Sequence, residues 1–267
     1  MDTNFISASE APQLANQLAE KAMSGESNSP QRAPILLPPD PSVSLPGGFL
    51  DPIVGLITTA EVRELTGADE EAIVKTNNIG KALLLILDRA TISLGSSTPP
   101  EPGMLDMLLS GDREAIILKI RLLTFGSEVK LRGNCPSCGE NNSWKIDLVE
   151  DVETKELKGS TEFLVKCKVG DVLVTLPTGN TQKEIINSTN RTSAEIDTII
   201  LKNCIRSING SPILGAEAVR SLGIKDRRDI LQEIEDRNPG PQLGDIKKAC
   251  TACGTEVPLP LTLAELF

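Results

Sequence analysis

Histidine and tyrosine are both absent from the 267 residues of this chain. Without His there is no Ser-His-Asp or Cys-His relay, and no imidazole to ligate a metal. Without Tyr, and with five Phe and one Trp, few rings are left on which unpaired bases could stack. Basic runs are lacking too: 27 Lys and Arg stand against 37 Asp and Glu, a net charge of −10. A chain of that sign repels phosphate backbones unless it gathers its cations on one face, so nucleic acid is not expected as a partner. The longest apolar run, Ala82–Leu87, falls far short of the ~20 residues of a membrane helix, so no membrane span is expected. The first 25 residues lack a basic start followed by an apolar run, so no signal peptide is read.

What the chain does have is six cysteines, four of them in two Cys-x-x-Cys pairs. In a long chain with no secretory signal, such pairs favour metal over disulfides. They read Cys135-Pro136-Ser137-Cys138-Gly139 and Cys250-Thr251-Ala252-Cys253-Gly254. Two intervening residues let both sulfurs point at one ion ~2.3 Å away while the backbone turns tightly. The Gly after each second Cys permits the positive φ such a turn uses. Cys135, Cys138, Cys250 and Cys253 together supply the four soft donors of a closed tetrahedral zinc site. The flanks echo one another: a short segment with basic residues before each pair (Val129–Arg132, Ile246–Lys248) and a strand-like phrase after it (Trp144–Leu148, Val257–Leu261). Two such hairpins would make a zinc ribbon stapling the C-terminus to the middle of the chain. The competing reading is a redox dithiol, which wants a helix N-terminus after the pair to lower the thiol pKa. Here Gly139–Asn142 reads as a turn with strand signals following, which favours structural zinc.

Around this feature the chain divides by composition. Residues 1–52 hold eight of the eighteen prolines with much Ser, Gln and Asn, and read as a disordered or partner-ordered leader. Within it, Leu14 with Leu18 and the triplet Ile35–Leu37 could dock on a neighbour. Residues 53–126 read as helical. Thr58-Thr59 is expected to cap a helix to Leu65, a second helix to begin near Asp69, a third to run over Ala82–Leu94, and a fourth to be capped by Asp112 and ended by Gly126. Residues 127–149 plus 245–267 form the expected ribbon. Residues 150–244 read as an α/β insertion: a hairpin over 162–176, a helix opened by the capping box Thr192-x-x-Glu195, and another over 225–237. The fold class expected is α+β, with a helical N-terminal half.

No enzyme is expected. Four thiolates leave no open coordination position for catalysis. Cys167 and Cys204 lie on apolar stripes and read as packed core thiols. Gly179-Asn180 lacks the rest of a phosphate-binding loop. The acids Glu150–Glu153 and Glu233–Asp236 read as solvated faces or linkers.

Four phrases in order carry a resemblance: Leu65–Glu71; Ser110–Arg113 leading to Leu122–Gly126; the first Cys pair followed by Ile146–Leu148; and Val174–Gly179, with the second pair close to the C-terminus. This order, over about 55–267, resembles the baseplate hub assembly proteins, or chaperones, of T4-type contractile phage tails and related injection systems. The resemblance implies a non-enzymatic component or assembly factor, placed in the virion tail baseplate or in the host cytoplasm during assembly. It implies other hub, spike or tube proteins as partners and the four cysteines as ligands of structural Zn2+; it brings no catalytic residue. A zinc-ribbon adaptor of transcription or RNA processing is the alternative. Its ribbon should be basic, yet over 128–149 Lys130, Arg132 and Lys145 are balanced by Glu128, Glu140 and Asp147.

Overall fold

The computed structural model describes residues 39–188, 191–213 and 215–267, in which eight helices and thirteen short strands build an α+β body around three apolar clusters. Leu14, Leu18 and Ile35–Leu37 lie outside the described residues. From Ser42 onward the chain is not a leader. Ser42–Asp51 (β1) and Gly55–Val62 (β2) pair antiparallel, with Val43 opposite Ala60 and Phe49 opposite Ile57. The prolines of 1–52 masked an alternation, Val43 and Leu45 inward against Ser42 and Ser44 outward, that belongs to a half-buried strand. Pro46 lies where the register shifts between Ser44 and Phe49, a place where a missing donor does no harm.

The helix expected from Thr58 is likewise a strand. The β-branched run Ile57-Thr58-Thr59 fits a pleated surface better than a helix, and Ile57, Ala60 and Val62 are buried. Gly67–Val74 (α1) follows. Thr66 precedes it, and the Asp69 carboxylate closes back on the Thr66 N–H (2.9 Å) and hydroxyl (2.8 Å). The helix expected over Ala82–Leu94 runs from Ile79 to Ala90 (α2), with Asn78 accepting from the Lys81 N–H. Its expected last turn is Thr91–Leu94 (β3), which adds to β2 as a third strand. So the span 53–126 is mixed rather than helical.

Met104–Met107 (α3) is a single turn, and Ser110–Phe125 (α4) is the axle of the fold. A helix with apolar residues most of the way round is buried on several sides. Ala115, Ile116, Ile117 and Ile120 join the first cluster with β1–β3 and α2. Leu118 and Leu122 pack on the second, and Leu109, just ahead of the helix, on the third. Gly126, at φ 79°, ends it as expected. Asp112 is not its cap; it sits inside the first turn, fully buried, accepting from the Gly47 N–H at 2.6 Å.

The ribbon hairpin is Glu128–Asn134 (β4) with Asn141–Asp147 (β5), in register from Glu128↔Asp147 to Asn134↔Asn141. The insertion comprises Thr154–Lys155 (β6), Glu162–Cys167 (β7), Gly170–Thr175 (β8), Gly179–Asn187 (α5), Ser193–Cys204 (α6), Ile205–Ile208 (β9), Ser211–Pro212 (β10), Ala216–Arg220 (α7), Ile224–Arg237 (α8) and Gly240–Pro241 (β11). Its sheet has the order β10-β9-β8-β7, with Phe163, Val165, Val172 and Val174 buried against α6 and α8. The Thr192/Glu195 capping box opens α6. Lys247–Ala249 (β12) and Glu256–Pro258 (β13) then make the second ribbon hairpin.

Two of the phrases that carry the family resemblance, Ser110–Arg113 and Val174–Gly179, meet the Asn238–Pro241 break at one joint. The Ser110 N–H donates to the Pro177 carbonyl (2.9 Å) and the Gly179 N–H to that of Leu108 (3.0 Å). Ser110 Oγ meets Asn238 Oδ1 at 3.1 Å. Gly111 and Gly240 pass so closely that a methyl on Gly111 would overlap the Pro239 carbonyl. Buried Arg113 donates to Gln182 Oε1 (2.8 Å) and to the Leu105 carbonyl, and Lys183 and Arg113 share Asp106. The joint fixes the insertion against α4.

Candidate metal centre

Each Cys pair sits in the turn of a hairpin, β4–β5 or β12–β13, and the two turns are built alike. The Gly139 N–H donates to the Cys135 carbonyl and the Gly254 N–H to that of Cys250, both at 2.9 Å. The Cys135 N–H donates to Glu140 and the Cys250 N–H to Thr255, both at 2.8 Å. Gly139 and Gly254 take φ of 77° and 73°, the left-handed conformation that a side chain would strain. One residue pattern has thus folded twice into one geometry.

The hairpins face each other through their turns. Cys135 Sγ lies 3.7 Å from Cys253 Sγ, and Cys138 Sγ 3.7 Å from Cys250 Sγ. All four sulfurs fall within 4.8 Å of one another. A disulfide would need ~2.05 Å, so these are four separate thiol sulfurs. Four sulfurs ~2.3 Å from one ion, tetrahedrally placed, stand ~3.8 Å apart. The spacing suits one metal ion at their centre. Cys135 and Cys250 are buried and Cys138 and Cys253 exposed, so the cluster sits at the edge of the core.

Apolar packing brings the turns together. Trp144, Ile146, Ile246 and Val257 share the second cluster with both buried cysteines. The Trp144 indole N–H donates to the Ala249 carbonyl at 3.0 Å, bolting the first hairpin to the second. Lys248 pairs with Asp151 at 2.6 Å. The expected strand Val257–Leu261 is shorter in the structure. Pro258 and Pro260 have no N–H to give, yet Leu259 and Leu261 still donate to the Ile246 and Leu243 carbonyls.

Sequence reasoning missed Asn142, which it took as part of a turn. Asn142 is 2% exposed, and its carboxamide reaches across to the second turn. Its Nδ2 donates to Cys250 Sγ at 3.4 Å and to the Glu140 carbonyl at 2.9 Å. Its Oδ1 accepts from the Thr251 N–H (2.9 Å) and hydroxyl (2.7 Å). No local pattern marks it, because the partner residues lie 108 and 109 positions away.

The donors around the sulfurs act unequally. The Cys250 thiol is drawn down to about 6, first by the Cys253 N–H and then by those of Ala252 and Asn142. Cys253 is lowered by the Thr255 hydroxyl and N–H. Cys138 goes the other way, to about 12: the Glu140 N–H favours its thiolate, but the neighbouring thiols and burial outweigh it. Four thiolates this close cannot all ionise unless a cation offsets their charge. The donor chemistry therefore fits a soft dication.

The remaining cysteines stay apart. Cys204 is buried in the third cluster and its thiol pushed up to about 12 by burial, while Cys167 ends β7 half-buried. Of the acidic runs, Glu235 and Asp236 border a 750 Å³ cavity with Glu114 and Asp245, and Glu233 pairs with Arg237.

The family described as T4 bacteriophage base plate protein matches residues 55–267. The chain belongs to that family. Neither a curated protein nor a solved structure matches it. Membership supports a structural role in a phage baseplate and other baseplate proteins as partners, and the match takes in both Cys pairs and the joint around Gly111. Among the described residues no helix is long and apolar enough to cross a membrane.

Proposed function

We propose that this protein is a non-enzymatic component or assembly factor of the hub of a contractile-tail baseplate, held together by a structural zinc ion on Cys135, Cys138, Cys250 and Cys253. The observation that carries the reading is the convergence of these four thiols, from segments more than a hundred residues apart, in a chain of the baseplate family. Soft thiolate donors select zinc among common cellular divalent ions, and a four-sulfur shell leaves no position for a reacting water. The ion's part is then structural. It neutralises the thiolates and fixes the two ribbon hairpins, and with them the chain's end, against α4.

The reading extends to location and partners. Such a protein acts in the host cytoplasm while the tail is built, remains in the virion tail, or both. It meets other hub, spike or tube subunits, and the residues ahead of Ser42 supply a segment that docks on a neighbour.

The test is genetic and compositional. Removing the gene should leave tails without complete baseplates in electron micrographs, and purified protein should hold one zinc per chain by elemental analysis. Normal tails without the gene would overturn the hub role; a metal-free chain with a reducible disulfide would overturn the zinc reading.

A further inference from the structure

The β1–β2 hairpin ends in an apolar knob. Leu50 is 74% exposed, Ile53 92%, Val54 58% and Leu56 66%. Leu50 and Leu56 are cross-strand partners, and the next pair along, Phe49 and Ile57, faces the core. The hairpin is therefore apolar on both faces near its tip, the pattern of strands covered on both sides. The body covers one side. Of the other exposed apolar residues, Phe125 and Phe267 meet edge to face, and Val149 and Leu164 lie outside this hairpin.

The knob is held in shape. Asp51 Oδ1 accepts from the N–H groups of both Ile53 and Val54 at 2.8 Å, and Gly55 takes φ 92° to close the turn. Rigid presentation removes the ordering entropy that a floppy loop would lose on binding. The hairpin itself is nearly uncharged: from Ser42 to Ala60, Asp51 is the one charged residue, in a chain that is 24% charged. Its carboxylate is engaged by those two amides. Exposed apolar area of this kind, on the order of several hundred Å², marks a binding site rather than solvent-facing surface.

From this we infer that the Leu50–Leu56 tip is a plug that inserts into an uncharged apolar pocket on a different protein of the baseplate. The inference rests on the baseplate reading above. A second copy of this chain is a poorer receptor. The 750 Å³ cavity sets Leu83, Leu243 and Leu261 beside Glu114, Glu235, Asp236 and Asp245, and the 480 Å³ cavity is bordered by Glu184, Arg191, Lys202 and Arg220. Seating Ile53 against those charged groups would strip them of water without replacing its hydrogen bonds. The tip by itself is also smaller than the ~800 Å² per partner of a standard stable interface, so it acts as the anchor within a wider contact.

The experiment measures pairwise binding, by calorimetry, of the full-length chain to each separately purified baseplate subunit encoded with it. The double variant Ile53→Ser/Val54→Ser should lose at least about 100-fold in affinity for one subunit, with an unchanged melting temperature. Val149→Ser, outside the tip, should bind as wild type. Equal binding by the double variant would overturn the plug and leave the baseplate role standing; a wild-type chain that binds no subunit would overturn both. Self-association abolished by the double variant would identify a second copy as the occupant and overturn the inference. In isolated full-length Ile53→Cys, the new thiol should react with a maleimide at the rate of a free cysteine. Protection there would show that the chain covers its own tip, and would also overturn it.

Discussion

Asn142, Asp69 and Asp112 show how differently three small polar side chains act once buried. Asn142 orients the second Cys turn and donates to the Cys250 sulfur, the kind of outer contact that tunes a metal site. Asn142→Ala should weaken zinc binding roughly 10- to 100-fold in a chelator competition while leaving one zinc per chain at saturation. Asp69, 1% exposed, is gripped by Arg63 at 2.6 Å and Arg89 at 2.7 Å, which hold its carboxyl well below the usual range. Its folded pKa is depressed, so its contribution is present above the unfolded value of about 4 and is lost as pH falls toward the folded one. Asp69→Asn should cost about 2–3 kcal/mol in urea melts at pH 7, a difference that shrinks in strong acid. Asp112 has the opposite sign. Burial raises it to about 6, and its Oδ2 has no hydrogen-bond partner among the described residues. The folded state therefore holds a proton that the unfolded chain releases near pH 4, and stability falls as pH rises from about 4 to 6. Asp112→Asn should remove that slope and gain about 1–3 kcal/mol at pH 7, read from urea midpoints at pH 4.5 and 7.

At the scale of elements, the close approach of α4 to the Asn238–Pro241 turn is the most demanding contact in the fold. Gly111→Ala leaves no room for the Pro239 carbonyl, so it should destabilise by about 3 kcal/mol or more in urea melts, although alanine is the better helix former. Where sequence and structure agreed, the signal was local. The Thr192/Glu195 box, the β7–β8 alternation and the Gly126 stop each depend on neighbours a few residues away. Where they differed, a nonlocal partner decided. Thr58-Thr59 has the composition of a cap, but pairing with β1 and β3 makes the segment a central strand. Thr91–Leu94 continues an apolar helical run in sequence, yet β2 offers it an edge to join.

Taken whole, the molecule is three apolar clusters threaded by one helix, with the Cys site at the margin of the second. Because Leu118 and Leu122 of α4 belong to that cluster, losing the metal should loosen more than the ribbon. A strong chelator is expected to lower the melting temperature by roughly 10 °C, the effect of several kcal/mol on a chain of this size, with one zinc per chain restoring it. A transition unchanged by chelator would show that apolar packing alone closes the loop between Cys138 and Cys250. The sequence by itself determined which four cysteines come together, the doubled turn geometry, the Thr192/Glu195 cap and the family, because each is written in residues close together or in an ordered series of phrases. Tertiary structure alone decided the placement of Asn142, the burial of Asp112 under Gly47, the Gly111–Gly240 approach and the solvent-facing tip of β1–β2. Those contacts join residues 65 to 129 positions apart, or depend on which face the body leaves uncovered, and no periodicity of 2 or 3.6 carries that information.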